Sequence, residues 1–261
     1  MKKTIGLVAI LILLLPGLGL SDAISVRLAY FVPSAQSELW TIEFENMSFQ
    51  KEDFRNATLG IFYEHFFSRE LSLLVGLDVY SKINLGTYRD YVGYSFEDGD
   101  FAFPYQHYEG EFDIGHQLDV AITPVQASLK LTPLGRRSGF IPYIGGGVSL
   151  YIWKVKMRGD IVDFTDEWFY EDPDLGDVPI YGIYAVNSEQ WSWYSGDRQQ
   201  SRFSVGFHGF AGVMFPIANR LAIEAEFKYS YGKGKLGDYF EDFDHFDLSS
   251  YQIAVGINYW F

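Results

Sequence analysis

From Ile24 to the last residue the chain alternates apolar and polar positions with a period of two, in eight separate stretches. That is the period of a strand with one greasy face. The first stretch sets Ile24, Val26, Leu28, Tyr30 and Val32 against Ser25, Arg27, Ala29 and Phe31. The second sets Leu59, Ile61, Tyr63 and Phe67 against Thr58, Gly60, Phe62 and Glu64, and the third sets Leu71 to Val79 against Ser72, Gly76, Asp78 and Tyr80. In the fourth the apolar phase changes at Pro124, from Leu118, Val120 and Ile122 to Val125, Ala127, Leu129 and Leu131, which predicts a β-bulge. The fifth spans 140–153, the sixth 202–215 and the seventh Leu221 to Tyr231. The eighth alternates Tyr251, Ile253, Val255, Ile257, Tyr259 and Phe261 with Gln252, Ala254, Gly256, Asn258 and Trp260, up to the final residue.

The connections alternate as regularly as the faces. Short links around 68–70, 133–139 and 216–220 are interleaved with long ones over roughly 34–56, 81–116, 156–201 and 232–249. Folding the sixth and seventh stretches about Asn219 sets Glu224 against Met214, Glu226 against Gly212 and Ser230 against His208, so like faces meet. Centring the earlier turn between Arg136 and Arg137 sets Lys130 against Tyr143 and Ile144 against Leu129. The pattern predicts an all-β chain: an eight-stranded antiparallel up-and-down transmembrane barrel with short periplasmic turns and long extracellular loops. A soluble barrel would alternate too, with its polar face outside. Here Gly76, Gly145, Gly147, Gly206, Gly212 and Gly256 all fall on the polar face, which suits a narrow, crowded lumen. The terminal strand must then pair with the first, because an open edge in a bilayer leaves backbone groups unbonded.

The N-terminus fits an exported chain. Lys2 and Lys3 precede a short apolar run broken by Pro16 and Gly17, and Ser21 and Ala23 stand at −3 and −1 of a cut before Ile24. Residues 1–23 are read as a signal peptide and 24–261 as the barrel domain of a bacterial outer-membrane protein. With no cysteine there is no disulfide framework, and a net charge of −14 argues against a nucleic-acid partner. Aromatic residues make up 18% of the chain, and they are dense in the long connections.

The stretch PVQASLKLTPLGRRSGFIPYIGGGVSLY resembles the central hairpin of the small outer-membrane barrels of the OmpW, opacity-protein and OmpA type, and RLAIEAEFKYSY resembles their penultimate strand. The likeness covers the strands, about half of the mature chain, and leaves the loops unmatched. The C-terminus resembles the sorting signal of such proteins through Gly256, Tyr259 and Phe261, with Ala254 departing from the usual polar residue. That resemblance implies the outer-membrane lipid and the barrel-assembly machinery as partners.

Candidate chemistry follows from the polar face. Arg27, Glu64, Asp78, Lys130, Glu224, Glu226 and Lys228, joined by Asp119, form a lumen charge network that either gates a small pore or fills the barrel with mutually neutralising pairs. His208 and Ser230 are placed for a lumen hydrogen bond, and with Glu226 they compose the residue types of an acyl-transfer trio. A trio inside the wall faces away from lipid substrates, and His65, His107, His116 and His245 have no spaced partners, so no enzyme is expected. Neither a cofactor nor a metal is expected, since the acidic loops lack calcium-loop spacing. The first functional reading is a structural or passive small-solute-transport barrel. The second is an external binding or adhesion module whose acidic aromatic loops contact an extracellular ligand.

Overall fold

A computed structural model describes residues 22–136, 138–186, 198–237 and 244–261; most of the expected signal peptide lies outside these. The chain order is β1 (Asp22–Pro33), helix α1 (Glu38–Glu45), a 3-10 turn (Lys51–Phe54), β2 (Asn56–Phe66), β3 (Leu71–Thr87), β4 (Tyr91–Phe96) and β5 (Gly99–Pro104). It continues with β6 (Gly115–Leu131), β7 (Ile141–Asp172), β8 (Gly176–Val186), β9 (Arg198–Ala218), β10 (Leu221–Gly234), β11 (Phe246–Asp247) and β12 (Ser250–Trp260). Eight of these strands close a barrel in the order β1-β2-β3-β6-β7-β9-β10-β12, each antiparallel to its neighbours, and β12 seals against β1 from Trp260↔Ala23 to Ser250↔Pro33. No backbone edge is left open in the wall, as a bilayer requires.

The wall is greasy outside. Ile24, Val26, Leu28, Leu59, Ile61, Val148, Leu150, Phe207, Phe227, Ile253 and Val255 are exposed, while Ser25, Arg27, Glu64, Ser128, Lys130 and Glu224 between them are buried. Water would oppose such a surface; hydrocarbon stabilises it. Phe227→Asp should therefore destabilise the barrel by up to about 2 kcal/mol, the scale of a carboxylate on a lipid face. Urea unfolding in micelles measures this, and an unchanged midpoint would count against lipid contact at Phe227.

Three sequence expectations need correction. The phase change at Pro124 is not a bulge, because β6 and β7 pair without a slip from His116↔Gly159 to Leu131↔Ile144. Even-numbered residues point inward along all of β6; what changes is their chemistry, from Gln126, Ser128 and Lys130 to Ile122, Val120 and Leu118. Pro124, which has no N–H, interrupts only the ladder to β3, between Leu77↔Val125 and Tyr80↔Ile122. The phase change marks the level where the apolar face moves from the outside of the barrel to its inside, as the strands leave lipid and enclose a core of their own. For the same reason Asp119 is not in the lumen: it lies on the outward face, opposite Lys156 and bonded by Gln117 Nε2 at 2.6 Å. Finally, Lys130 pairs with Gly145 and Leu131 with Ile144, two residues from the expected register. The ladder is centred one residue further along the chain than expected, so the parity holds and the offset is two. The 6/7 register is as expected, with Glu224↔Met214, Glu226↔Gly212 and Ser230↔His208.

At the long-connection end the strands outgrow the expected limits. β7 extends to Asp172 and folds back as β8, and with β5 and β4 they form a sheet in the order β7-β8-β5-β4, whose Ala102, Ile161 and Val162 share a buried cluster with the upper end of the barrel. α1 and the 3-10 turn fold over the barrel mouth.

Candidate functional site

Inside, the barrel is stacked in layers. One layer is a charge cluster: Arg27 of β1 donates to Glu224 at 2.5 Å and to Glu226 at 2.8 Å, both on β10. Tyr143 donates to the same carboxylates at 3.3 and 3.1 Å. Glu64 accepts from Lys130 at 2.9 Å, Arg136 at 3.2 Å and Ser72 at 2.5 Å. Asp78 binds Lys228 and accepts from Gln126 at 3.3 Å. Four cations, Arg27, Lys130, Arg136 and Lys228, thus face four carboxylates, Glu64, Asp78, Glu224 and Glu226. The guanidinium of Arg27 also lies 4.4 Å from the centre of the Phe62 ring, and Lys130 Nζ lies 4.2 Å from that of Tyr143. Glycines make this packing feasible: a Cβ on Gly256 would fall 2.8 Å from Glu224 Oε1, and one on Gly76 would fall 2.4 Å from the Phe62 ring.

Above this, His208 is held between two serines, Ser128 Oγ at 2.6 Å from Nε2 and Ser149 Oγ at 2.7 Å from Nδ1. The expected bond to Ser230 is not made, although the two residues pair across β9 and β10. Opposite residues share a face, but two serines on β6 and β7 reach the ring nitrogens instead. Glu226 is engaged by Arg27 and Tyr143, so a Ser230/His208/Glu226 trio does not assemble.

The upper layer is an aromatic core. Trp40 and Phe44 of α1, with Met47, Phe49 and Phe54, descend onto Phe31, Tyr80, Ile122, Tyr151 and Trp153 of the wall. Phe44 stacks on Phe54 at 5.3 Å, Phe31 on Tyr80 at 3.9 Å, and Tyr80 donates to the Phe54 carbonyl at 2.5 Å. A water-filled pore would wet its lining, whereas Glu224, Lys130, Tyr151 and Trp153 are buried.

Beyond the mouth, the β7–β8 hairpin carries the most distinctive surface. Residues 160–177 contain eight carboxylates and no lysine or arginine. Among them Trp168 is 54% exposed and Phe169 66% exposed, with Leu175 at the tip. Hydrogen bonds and ring contacts shape the hairpin. Asp172 accepts the backbone N–H groups of Asp174 at 2.8 Å and Leu175 at 2.9 Å, and the Tyr108 hydroxyl at 2.9 Å. These donors hold the Asp172 carboxyl below the usual carboxylate range. Burial, with that bond, pushes the Tyr108 hydroxyl up to about 12. Phe103 packs edge-on against Tyr170 at 5.4 Å and Phe101 against Trp168 at 6.2 Å, fixing the hairpin to β5. Among the described residues no group of three His, Asp or Glu side chains converges on a metal position.

A closed antiparallel barrel of eight strands, greasy outside and charged within, defines a small outer-membrane barrel. Solved structures carry the same fold. OprG from Pseudomonas aeruginosa aligns over 92% of this chain and 95% of its own, with a TM-score of 0.50 and 12% identity. Neisserial surface protein A aligns over 93% and 100% of the two chains at a TM-score of 0.45, and Ail, the attachment invasion locus protein of Yersinia pestis, over 92% and 98% at 0.43, both with 12% identity. Neither protein-family models nor curated proteins gave a match.

Sequence reasoning missed Arg136, Tyr143 and the plug that α1 and the 3-10 turn form at the barrel mouth. Arg136 sits in a turn, where no alternation reveals its direction. The plug did leave a signal, since Trp40 and Phe44 fall one helical turn apart within a long connection. Of the terminal signature, Tyr259 and Phe261 are exposed on the outer wall, while Gly256 faces the lumen beside Arg27 and Glu224.

Proposed function

We propose that this chain is an outer-membrane binding module: a barrel closed along its axis that holds an acidic, aromatic head outside the cell to dock a cationic protein or peptide. The observation that carries the reading is the β7–β8 hairpin, whose exposed Trp168 and Phe169 stand among eight carboxylates with no neutralising lysine or arginine in the segment. Aromatic anchors ringed by charge of one sign are the anatomy of a recognition surface. Support also comes from the filled lumen, which leaves solute passage without a path. Export through a cleaved leader, and insertion by the assembly machinery through Gly256, Tyr259 and Phe261, belong to the same reading.

The test is a titration of the micellar protein with a lysine-rich peptide, followed by tryptophan fluorescence. Binding should weaken with salt. It should lose about 2 kcal/mol in Trp168→Ala/Phe169→Ala, the scale of an aromatic anchor. A variant that binds as the parent does would sink the docking role, and a stable ion-selective current in a planar bilayer would restore passive transport.

A further inference from the structure

We infer that the outward face of β7, β9 and β10 binds the phosphate groups of glycolipid headgroups in the outer leaflet of the membrane. On β10 the outward residues run Ile223, Ala225, Phe227, Tyr229, Tyr231 and then Lys233, with Lys235 just beyond the strand's end. On β7 they run Ile144, Val148, Leu150, Ile152 and then Lys154, Lys156 and Arg158, of which Lys156 is buried and Lys154 and Arg158 are half-buried. Each strand passes from apolar to basic, β10 by way of two tyrosines, as a strand does on leaving hydrocarbon for the headgroup region.

The barrel's stagger brings the two basic ends to one level. Hydrogen-bonded partners followed from Ile24 through Tyr63, Val75, Ala127, Val148 and Phe207 arrive at Tyr231, whereas the direct route through Tyr259 arrives at Leu221. Successive strands therefore climb, and Lys154 and Lys233 stand at nearly the same height, just above the apolar band. Between them on β9 lie Phe203 and Val205, 71% and 70% exposed, the apolar floor that acyl chains would cover.

Charge complementarity names the occupant. The chain as a whole is acidic, yet this flank gathers four accessible basic residues, Lys154, Arg158, Lys233 and Lys235, beside the buried Lys156. Lys156 and Lys235 already have partners. Lys154, Arg158 and Lys233 form no ion pair among the described residues, and Arg158 Nε has no hydrogen-bond partner. Asp119 is the carboxylate beside them, opposite Lys156. Cations held at the surface of a membrane attract anionic headgroups, and the contact reads the phosphate. This surface belongs to the wall and is independent of the head.

The test uses the full barrel in phosphatidylcholine nanodiscs containing bis-phosphorylated lipid A, dephosphorylated lipid A, or neither, with retained lipid counted by native mass spectrometry. The parent should retain the bis-phosphorylated lipid selectively, and Lys154→Gln/Arg158→Gln/Lys233→Gln should retain it roughly ten-fold less or worse. Unfolding in phosphatidylcholine alone should be the same for both, which separates lost binding from lost folding. Equal retention by parent and variant, no preference for the phosphorylated lipid, or full competition by millimolar inorganic phosphate would each overturn the inference.

Discussion

Replacing Arg27 with alanine should destabilise the folded barrel by about 3 to 5 kcal/mol, the cost of breaking a buried ion pair from one side. Arg27 is the shared donor to Glu224 and Glu226, and all three side chains are buried. Without it two carboxylates remain in the lumen, facing the Tyr143 hydroxyl, Asn258 and more distant lysines. The urea midpoint in micelles, read from the heat-modifiable gel shift, measures the loss. Adding Glu224→Gln and Glu226→Gln to the Arg27 variant should recover part of it, because the uncompensated charge is then gone. A midpoint that stays at the parent's value in Arg27→Ala would show that the cluster contributes nothing to the barrel.

Trp153→Ala should also cost about 3 to 5 kcal/mol, the range for a large aromatic removed from a core. Trp153 packs on Phe246 at 5.2 Å, donates from Nε1 to Ser204 at 2.9 Å, and lies where a Cβ on Gly234 would come within 2.5 Å of its ring. The cavity left behind would open only the upper layer. The charge cluster and the His208 layer remain below it, so the variant should be less stable and still carry no current in a planar bilayer. A steady current from Trp153→Ala would show that the aromatic core is the barrel's only closure, and a parent-like midpoint would remove it from the stabilising core.

These two expectations rest on parts of the molecule that were unequally legible beforehand. Alternation along each strand fixed which residues share a face, since a pleated strand sends successive side chains to opposite sides whatever surrounds it. That is why Arg27, Glu64, Lys130, Glu224, Glu226 and Lys228 were assigned to one side, and why the closing role of the last strand was readable from its greasy face. It is also why the 6/7 register, with a short turn to set it, came out residue for residue.

What alternation cannot carry is which side is inside at a given height, or which partner a side chain chooses. The phase change at Pro124 was legible, but its meaning depended on where the strand leaves lipid, and this follows from the whole barrel closing around α1 and the aromatic core. His208 faced Ser230 by register and bonded Ser128 and Ser149 by geometry, because a ring on the wall of a narrow barrel reaches across the lumen as easily as along a strand pair. Asp119 followed its neighbours in parity and not in environment. Sequence by itself determined the strands, their faces and the closed barrel, all consequences of local periodicity. The filling of the lumen, the folded hairpin head and the level of the basic flank were decided by the tertiary structure, because each depends on residues brought together by the curvature and stagger of the sheet.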